Sequence, residues 1–190
     1  MLNDYGQMNR IMYVRRPAHS HDFAAERQNM RSEQQVNTAI EQYADTVLRV
    51  CTVYLKNHTD TEDIFQTVFL KYASDSTVFL SPEHEKAWII RVTINACKDL
   101  LKSVFRRRTV PLNDEIELYS HPPEPPGPVT EAVLRLPRKY MEVVYLHYYE
   151  GYTIPEIAKL LGKNPNTVYT NLHRAKERLK NVLEEESYGS

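Results

Sequence analysis

Six of the chain's 11 prolines fall between Pro111 and Pro128, most of them in the run Pro122-Pro-Glu-Pro-Pro-Gly-Pro128. Proline has no backbone N–H and its ring fixes φ, so such a stretch can be neither a helix interior nor a central strand. It reads as an extended linker over residues 109–129. At ~3.1 Å per residue, about 20 residues reach ~60 Å, well beyond one ~34 Å turn of duplex DNA. The 190 residues therefore divide into two small units that can touch separate stretches of a long ligand.

Both flanks carry helical periodicity and no useful β-alternation, so the chain is expected to be all-α, two small helical domains at 33–108 and 130–186. Upstream, Val36, Ile40, Tyr43, Val47, Val50 and Tyr54 step by three and four. Thr59-x-x-Glu62 has the form of a capping box and opens a second helix through Ile64, Val68 and Tyr72. Ser81-Pro82 places a cap before proline at the first helical position, and a third helix runs to about Phe105. Residues 1–32 are polar and aperiodic until about Arg31 and read as a flexible tail, with Met30 an alternative start. Their His19-Ser-His21-Asp22 cluster lacks a second ligand group, so no metal site is assigned.

Downstream of the linker, Pro137 suits a helix start, Met141, Val144, Tyr145 and Tyr148 mark a buried face, and Gly151 suits a C-cap. Thr153-Ile-Pro-Glu156 is another capping box. Ile157, Ala158 and Leu161 face inward, Gly162 ends that short helix, and Asn164-Pro165 caps the next. The spacing Ala158-x3-Gly162-x5-Val168 is that of a helix-turn-helix: a small residue for close approach, a glycine for the turn, and a valine locking the second helix onto the first. On a wheel of about 3.6 residues per turn, Val168, Leu172, Ala175 and Leu179 share the core side. Tyr169, Thr170 and His173 point away from it, with Arg174 alongside, where they can meet base edges in a major groove. Lys176, Arg178 and Lys180 suit phosphates.

The same wheel applied to 86–104 separates two apolar sides from a polar band of Arg91, Asn95, Lys98 and Lys102, with Trp88 at its edge. Cations for phosphates beside a flat aromatic suit single-stranded or unstacking nucleic acid, and Arg106-Arg-Arg108 extends the strip. The pattern fits an ordinary solvated helix face with a core tryptophan equally well.

Composition removes several other classes. A formal net charge of −1 is low for an autonomous DNA binder, so affinity must come from local stripes or from a partner that holds the chain in place. No run of about 18 apolar residues exists to cross a bilayer, and the N-terminus lacks a secretory signal. Cys51 and Cys97 sit in apolar helical patterns and read as reduced, buried, cytoplasmic thiols. No convergent nucleophile–base set or cofactor motif appears, so the chain is not expected to be an enzyme; Glu83-His-Glu85 is helix-start polarity.

Two blocks of residues resemble a known family. Asp60-Thr-Glu-Asp-Ile-Phe-Gln-Thr-Val-Phe-Leu70 and Ala87-Trp-Ile-Ile-Arg-Val-Thr-Ile-Asn-Ala-Cys-Lys-Asp99 resemble region 2 of the extracytoplasmic-function (ECF) sigma factors of bacterial RNA polymerase. Leu136-Pro137, Tyr149-Glu-Gly151, Glu156-Ile-Ala158 and Thr167-Val168 with His173-Arg-Ala175 resemble their region 4. The resemblance spans residues ~36–183 in the family's order and leaves the N-terminal tail unmatched. It implies an alternative sigma factor that binds core RNA polymerase, recognises promoter DNA and opens it by flipping a base into a pocket, without covalent chemistry. By that resemblance Asp60, Glu62, Asp63, Gln66 and Phe69 meet the polymerase. Trp88, Arg91, Asn95, Lys98 and Lys102 face the opened strand, with the loop Phe79–Glu83 forming part of the pocket. His147, Tyr169, Thr170, Asn171, His173, Arg174 and Arg178 meet the upstream element, although Tyr169 and Asn171 stand where family members often carry basic residues. An anti-sigma factor is a further partner implied by the family. An ordinary helix-turn-helix repressor would account for Thr153–Lys180 but leaves the Trp88 helix and the acidic second helix unused. A degenerate homologue that binds polymerase without opening promoters is a third class.

Overall fold

A computed structural model of the protein describes residues 30–55, 57–107 and 127–188; the His19–Asp22 cluster, most of the proline-rich segment and Arg108 lie outside the described residues. Seven α-helices and no strand occur among them: α1 Glu33–Tyr54, α2 His58–Ser74, α3 Pro82–Arg107, α4 Pro128–Leu134, α5 Arg138–Val144, α6 Ile154–Leu161 and α7 Pro165–Tyr188, with a π-helical turn over Tyr145–Tyr149 between α5 and α6. The all-α expectation holds.

The helix starts follow from local chemistry, with one correction. Helix α1 opens on a capping box, Ser32 Oγ accepting from the Gln35 N–H at 3.2 Å while Gln35 Oε1 accepts from the Ser32 N–H at 2.8 Å. Helix α2 is not capped by Thr59. Asn57 is the N-cap, its Oδ1 accepting from the Asp60 N–H at 2.7 Å, and its amide donates to Asp60 Oδ2. Asparagine outranks threonine at a cap, so the helix starts two residues earlier and Thr59 falls inside its first turn. Helix α3 begins at Ser81-Pro82, as the sequence predicts, Ser81 Oγ accepting from the His84 N–H at 3.2 Å.

Helices α1, α2 and α3 pack against one another around Val47, Val50, Cys51, Val68, Phe69, Ile89, Ile90, Ile94 and Cys97, each no more than 1 % exposed. Burying an aliphatic or aromatic side chain of this size stabilises the fold by about 1.5–3 kcal/mol. Cys51 and Cys97 are free thiols 4.0 Å apart in this core. The hydrogen bond with Cys97 and, after it, burial push the Cys51 thiol upward, away from the reactive thiolate form. The second bundle places α4, α5 and α6 around α7, with Val143, Leu146, Ile157, Val168 and Ala175 at its centre.

The π-helical turn overturns part of the sequence reading. Continued α-helical spacing from Met141 through Tyr145 would bury Tyr148, yet Tyr148 is 55 % exposed. A π turn inserts an extra residue into the helical register and rotates the following side chains, so Tyr145 and Leu146 stay in the core while Tyr148 and Tyr149 turn outward.

The two bundles dock. Helix α3 packs on α6 and α1 on α5, and the apolar cluster is continuous across the junction. Two buried carboxylates fasten it. Glu142, 4 % exposed, accepts from Tyr54 Oη at 2.6 Å across the junction and pairs with Lys163 on its own side. Glu150 pairs with Lys86 of α3 at 2.7 Å and accepts from Tyr145 Oη.

Candidate nucleic-acid interface

In the second bundle the turn between α6 and α7 is built as its residues demand. The Glu156 carboxylate accepts from both the Thr153 hydroxyl, at 2.6 Å, and the Thr153 N–H, at 2.8 Å. These hydrogen bonds hold its carboxyl below the usual range. Gly162 adopts φ +64°, the left-handed conformation that a side chain disfavours. Asn164 Oδ1 then accepts from the Asn166 N–H at 2.8 Å and starts α7. Val168, Leu172 and Ala175 are buried, as the wheel predicts.

Opposite that core, Tyr169, Thr170, His173, Arg174 and Arg178 are exposed on one helix, open to a groove-sized partner. His173 lies 3.5 Å from Glu177 and its ring 6.4 Å from that of Tyr169. Arg174 and Arg178 line a surface groove with Tyr140, Glu177, Lys180 and Asn181, and Arg178 sits 5.3 Å from the Tyr140 ring centroid. Asn171 is different: it is only 9 % exposed. It lies three residues after Val168 and four before Ala175, on the flank of the core, and is poorly placed to reach a base edge. His147 is half-buried, and its Nδ1–H donates to the Tyr152 carbonyl at 2.9 Å. Tyr148, turned out by the π turn, adds an exposed ring that the sequence reading placed in the core; Lys176 Nζ lies 5.6 Å from its centroid.

On α3 the polar band is real but not uniform. Arg91, Asn95 and Lys102 are exposed, and Lys102 pairs with Asp99 at 3.0 Å. Lys98 is half-buried in the junction, 6.0 Å from the Tyr54 ring centroid. Burial lowers its ammonium from the ordinary lysine range, against the nearby Glu142 carboxylate. Trp88 is half-buried and packs edge-on against Tyr72, at 6.0 Å, and Phe79, at 5.7 Å. These two rings tie it to the loop over 75–81. On the outside of that loop Val78 and Leu80 are 79 % and 88 % exposed.

The acidic helix α2 also needs sorting. Asp63 and Gln66 are exposed, while Asp60 is engaged with Asn57 and Glu62 lies 3.4 Å from His58. Phe69 is fully buried, its ring 4.8 Å from that of Phe65, so it supports the bundle and cannot touch a partner. The exposed apolar residue on this stretch is its neighbour Leu70, 58 % exposed. Leu70 follows Gln66 by four and Asp63 by seven, a helical stripe that could have been read from spacing. Arg31, within the segment whose composition reads as tail, contacts α2 and the loop after it, and the Ser32-x-x-Gln35 box beside it is the signal in the sequence.

Comparison with known proteins places both bundles. Residues 39–108 match the family described as Sigma-70 region 2, and residues 127–179 match Sigma-70, region 4. The RNA polymerase sigma factor SigV of Bacillus subtilis is 31 % identical over 153 residues, covering 78 % of this chain and 91 % of that protein. The ECF RNA polymerase sigma factor SigM of Mycobacterium tuberculosis is 27 % identical over 137 residues, covering 71 % of this chain and 70 % of its own. Among solved structures, the sigma factor RpoE of Bartonella quintana, crystallised with the anti-sigma factor NepR, shares the fold with a TM-score of 0.66 at 16 % identity, over 80 % of this chain and 98 % of that one.

Proposed function

The chain belongs to the ECF sigma factors of RNA polymerase, alternative factors of transcription initiation, and from that premise we propose how its residues divide the work. The observation that carries the proposal is the pairing of two exposed polar faces on separate bundles, Arg91 and Asn95 on α3, and Thr170, His173 and Arg174 on α7. The α7 face reads the upstream promoter element in the major groove, with Tyr169 packed beside it. Lys176, Arg178 and Lys180 hold phosphates, which position the helix without reading sequence. The α3 band takes the opened strand of the downstream element together with the loop over 75–81, which holds Phe79–Ser81 of the expected Phe79–Glu83 segment, Pro82 and Glu83 being the first turn of α3. Asp63, Gln66 and Leu70 of α2, flanked by Glu62, meet core polymerase. An anti-sigma factor restrains the chain, as NepR binds its own structural neighbour, and the work is done in the cytoplasm, without covalent chemistry. The near-neutral charge fits a protein that polymerase delivers to DNA.

Transcription in vitro with core polymerase on genomic DNA, followed by mapping of start sites, tests the proposal. Start sites sharing two spaced elements are expected. Tight duplex binding without polymerase would indicate a repressor instead, and polymerase binding without initiation would indicate an interaction module.

Within this reading, Arg174→Ala should weaken use of the upstream element by about 10-fold or more, on the scale of a lost base contact worth ~1–3 kcal/mol, while leaving affinity for core polymerase unchanged. Promoters altered at the upstream element and native promoters should then be transcribed with nearly equal efficiency. A preserved preference would remove Arg174 from base reading.

A further inference from the structure

We propose that Arg31 is a positioning residue for promoter opening, shaping the loop over 75–81 into the form that receives the unstacked base. This rests on the sigma-factor reading above and adds to it a residue lying outside both recognised blocks.

Arg31 precedes the first helix, and almost everything it touches is more than 40 residues away. Its Nη1 donates to the carbonyls of Tyr72, at 2.6 Å, and Asp75, and its Nη2 donates to the Thr77 carbonyl at 2.6 Å. Its backbone N–H donates to the Ala73 carbonyl at 3.0 Å. Tyr72 and Ala73 lie in the last turn of α2, where carbonyls lack intrahelical partners and a cation is favoured. Asp75 and Thr77 belong to the loop itself, so one guanidinium joins the helix end to the loop. Its carbon also lies 4.2 Å from the Tyr72 centroid and 4.7 Å from the Phe79 centroid, with the two rings nearly parallel, 6° apart. Phe79 in turn packs edge-on against Trp88 and His84.

The loop is thereby pinned from within. Asp75 Oδ1 accepts from the Thr77 N–H at 2.8 Å, and the far end is fixed where the Leu80 N–H meets His84 Nδ1 at 3.4 Å. Its outer side chains, Val78 and Leu80, stay exposed. An inner face fixed by hydrogen bonds and an outer face left free are what base capture needs, because a pocket that must order itself on binding loses affinity to that ordering. Only arginine offers planar donors to three carbonyls at once while also lying flat on aromatic rings. A lysine could keep the charge but neither the fork nor the stacking.

The test compares the full-length chain with Arg31→Lys, Arg31→Gln and Arg31→Ala, each with core polymerase, on a promoter mapped with the native chain and on copies carrying single-base changes in its downstream element. Native protein should discriminate among these templates. In Arg31→Ala and Arg31→Gln, opening on the preferred template, read by permanganate reactivity of unpaired thymines, should fall by about 10-fold, the scale of a single base-pair discrimination. Opening on the changed templates should fall far less, so the preference collapses. Affinity for core polymerase should stay within about 2-fold, far less than the 10-fold that 1.4 kcal/mol produces. Arg31→Lys should recover stability but not discrimination. An equal fall on every template, or a parallel loss of polymerase affinity, would show that Arg31 only supports the fold and would overturn the inference. Intact discrimination in Arg31→Ala would overturn it too. If the native chain itself opened no promoter, the functional reading would fail, and this inference with it; native opening with an indifferent Arg31 would sink the inference alone.

Discussion

Replacing Glu142 with alanine should cost the folded chain about 3 kcal/mol, the low end of the range for removing one partner of a buried charged pair, and should uncouple its two bundles. Glu142 is 4 % exposed and serves both sides of the junction at once, accepting from Tyr54 of α1 and holding Lys163 of the α6–α7 turn. Without it, the Tyr54 hydroxyl and the Lys163 ammonium lose their acceptor in surroundings that water reaches poorly, and the half-buried Lys98 loses its nearest balancing charge. The lower end applies because the Lys163 side chain remains 28 % exposed and can turn toward water. In urea the midpoint should fall by about 1–2 M for a slope near 2 kcal/mol/M, and small-angle scattering should report a larger radius of gyration. Glu142→Gln keeps an acceptor for Tyr54 but no charge for Lys163, and should fall between. A loss under about 0.5 kcal/mol, typical of an ordinary surface substitution, with an unchanged radius would show that the apolar contacts alone hold the junction.

The same junction carries a pH signature. Burial, and after it the Glu142 carboxylate, pushes the Tyr54 phenol above its ordinary value. The folded chain therefore keeps a proton that the unfolded chain has released above pH ~10. Stability from this group is complete below that pH and declines as pH rises through the interval above it. Tyr54→Phe should be less stable than the native chain at pH 8 and should close part of that gap at alkaline pH.

Local chemistry made most of the helices legible. Ser81-Pro82, Gly162 and Asn164-Pro165 each satisfy or release backbone groups within a few residues, and periodicity assigned the buried sides of α1, α3 and α7 without help from elsewhere. What escaped depends on competition or distance. Asn57 takes the α2 cap from Thr59 because asparagine is the stronger cap, and the capping-box pattern at Thr59 does not register a better acceptor two residues upstream. Tyr148 escapes the α-helical wheel because a π turn leaves no mark in an apolar pattern that is continuous with α-helix. Phe69 looked like a contact because it stands within a recognisable block, although its spacing from Phe65 and Tyr72 puts it in the core. Arg31, Glu142 and Glu150 were invisible as contacts because each meets a partner supplied by the fold. The sequence could say which way Asn95 or Arg174 points, but not that Lys98, in the same band as Asn95, is tucked against Tyr54.

That division within the α3 band leads to the second large effect: Asn95→Ala should reduce promoter opening by about 10- to 100-fold, the equivalent of ~1.4–2.8 kcal/mol. Asn95 is exposed between Arg91 and Lys102 and carries an amide that can donate to and accept from an unpaired base. Arg91 and Lys102 supply charge for phosphates, which attracts every sequence alike. The Lys102–Asp99 pair is exposed on both sides, and such pairs contribute at most about 1 kcal/mol, so Lys102 is readily released to a phosphate. Alanine at 95 thus leaves the strand attracted to the helix but without a polar partner for the base, and permanganate reactivity of unpaired thymines should drop while polymerase binding stays constant. Lys98→Ala sets the contrast. Its ammonium is held in the junction in the docked chain, so its loss should matter for opening only when the bundles separate. In a Glu142→Ala background, where they are expected to separate, the Lys98→Ala defect should grow, whereas the Asn95→Ala defect should not change. Equal behaviour of the two positions in both backgrounds would mean that docking leaves the whole band open to the strand, and that Lys98 is free to bind DNA without any movement of the second bundle.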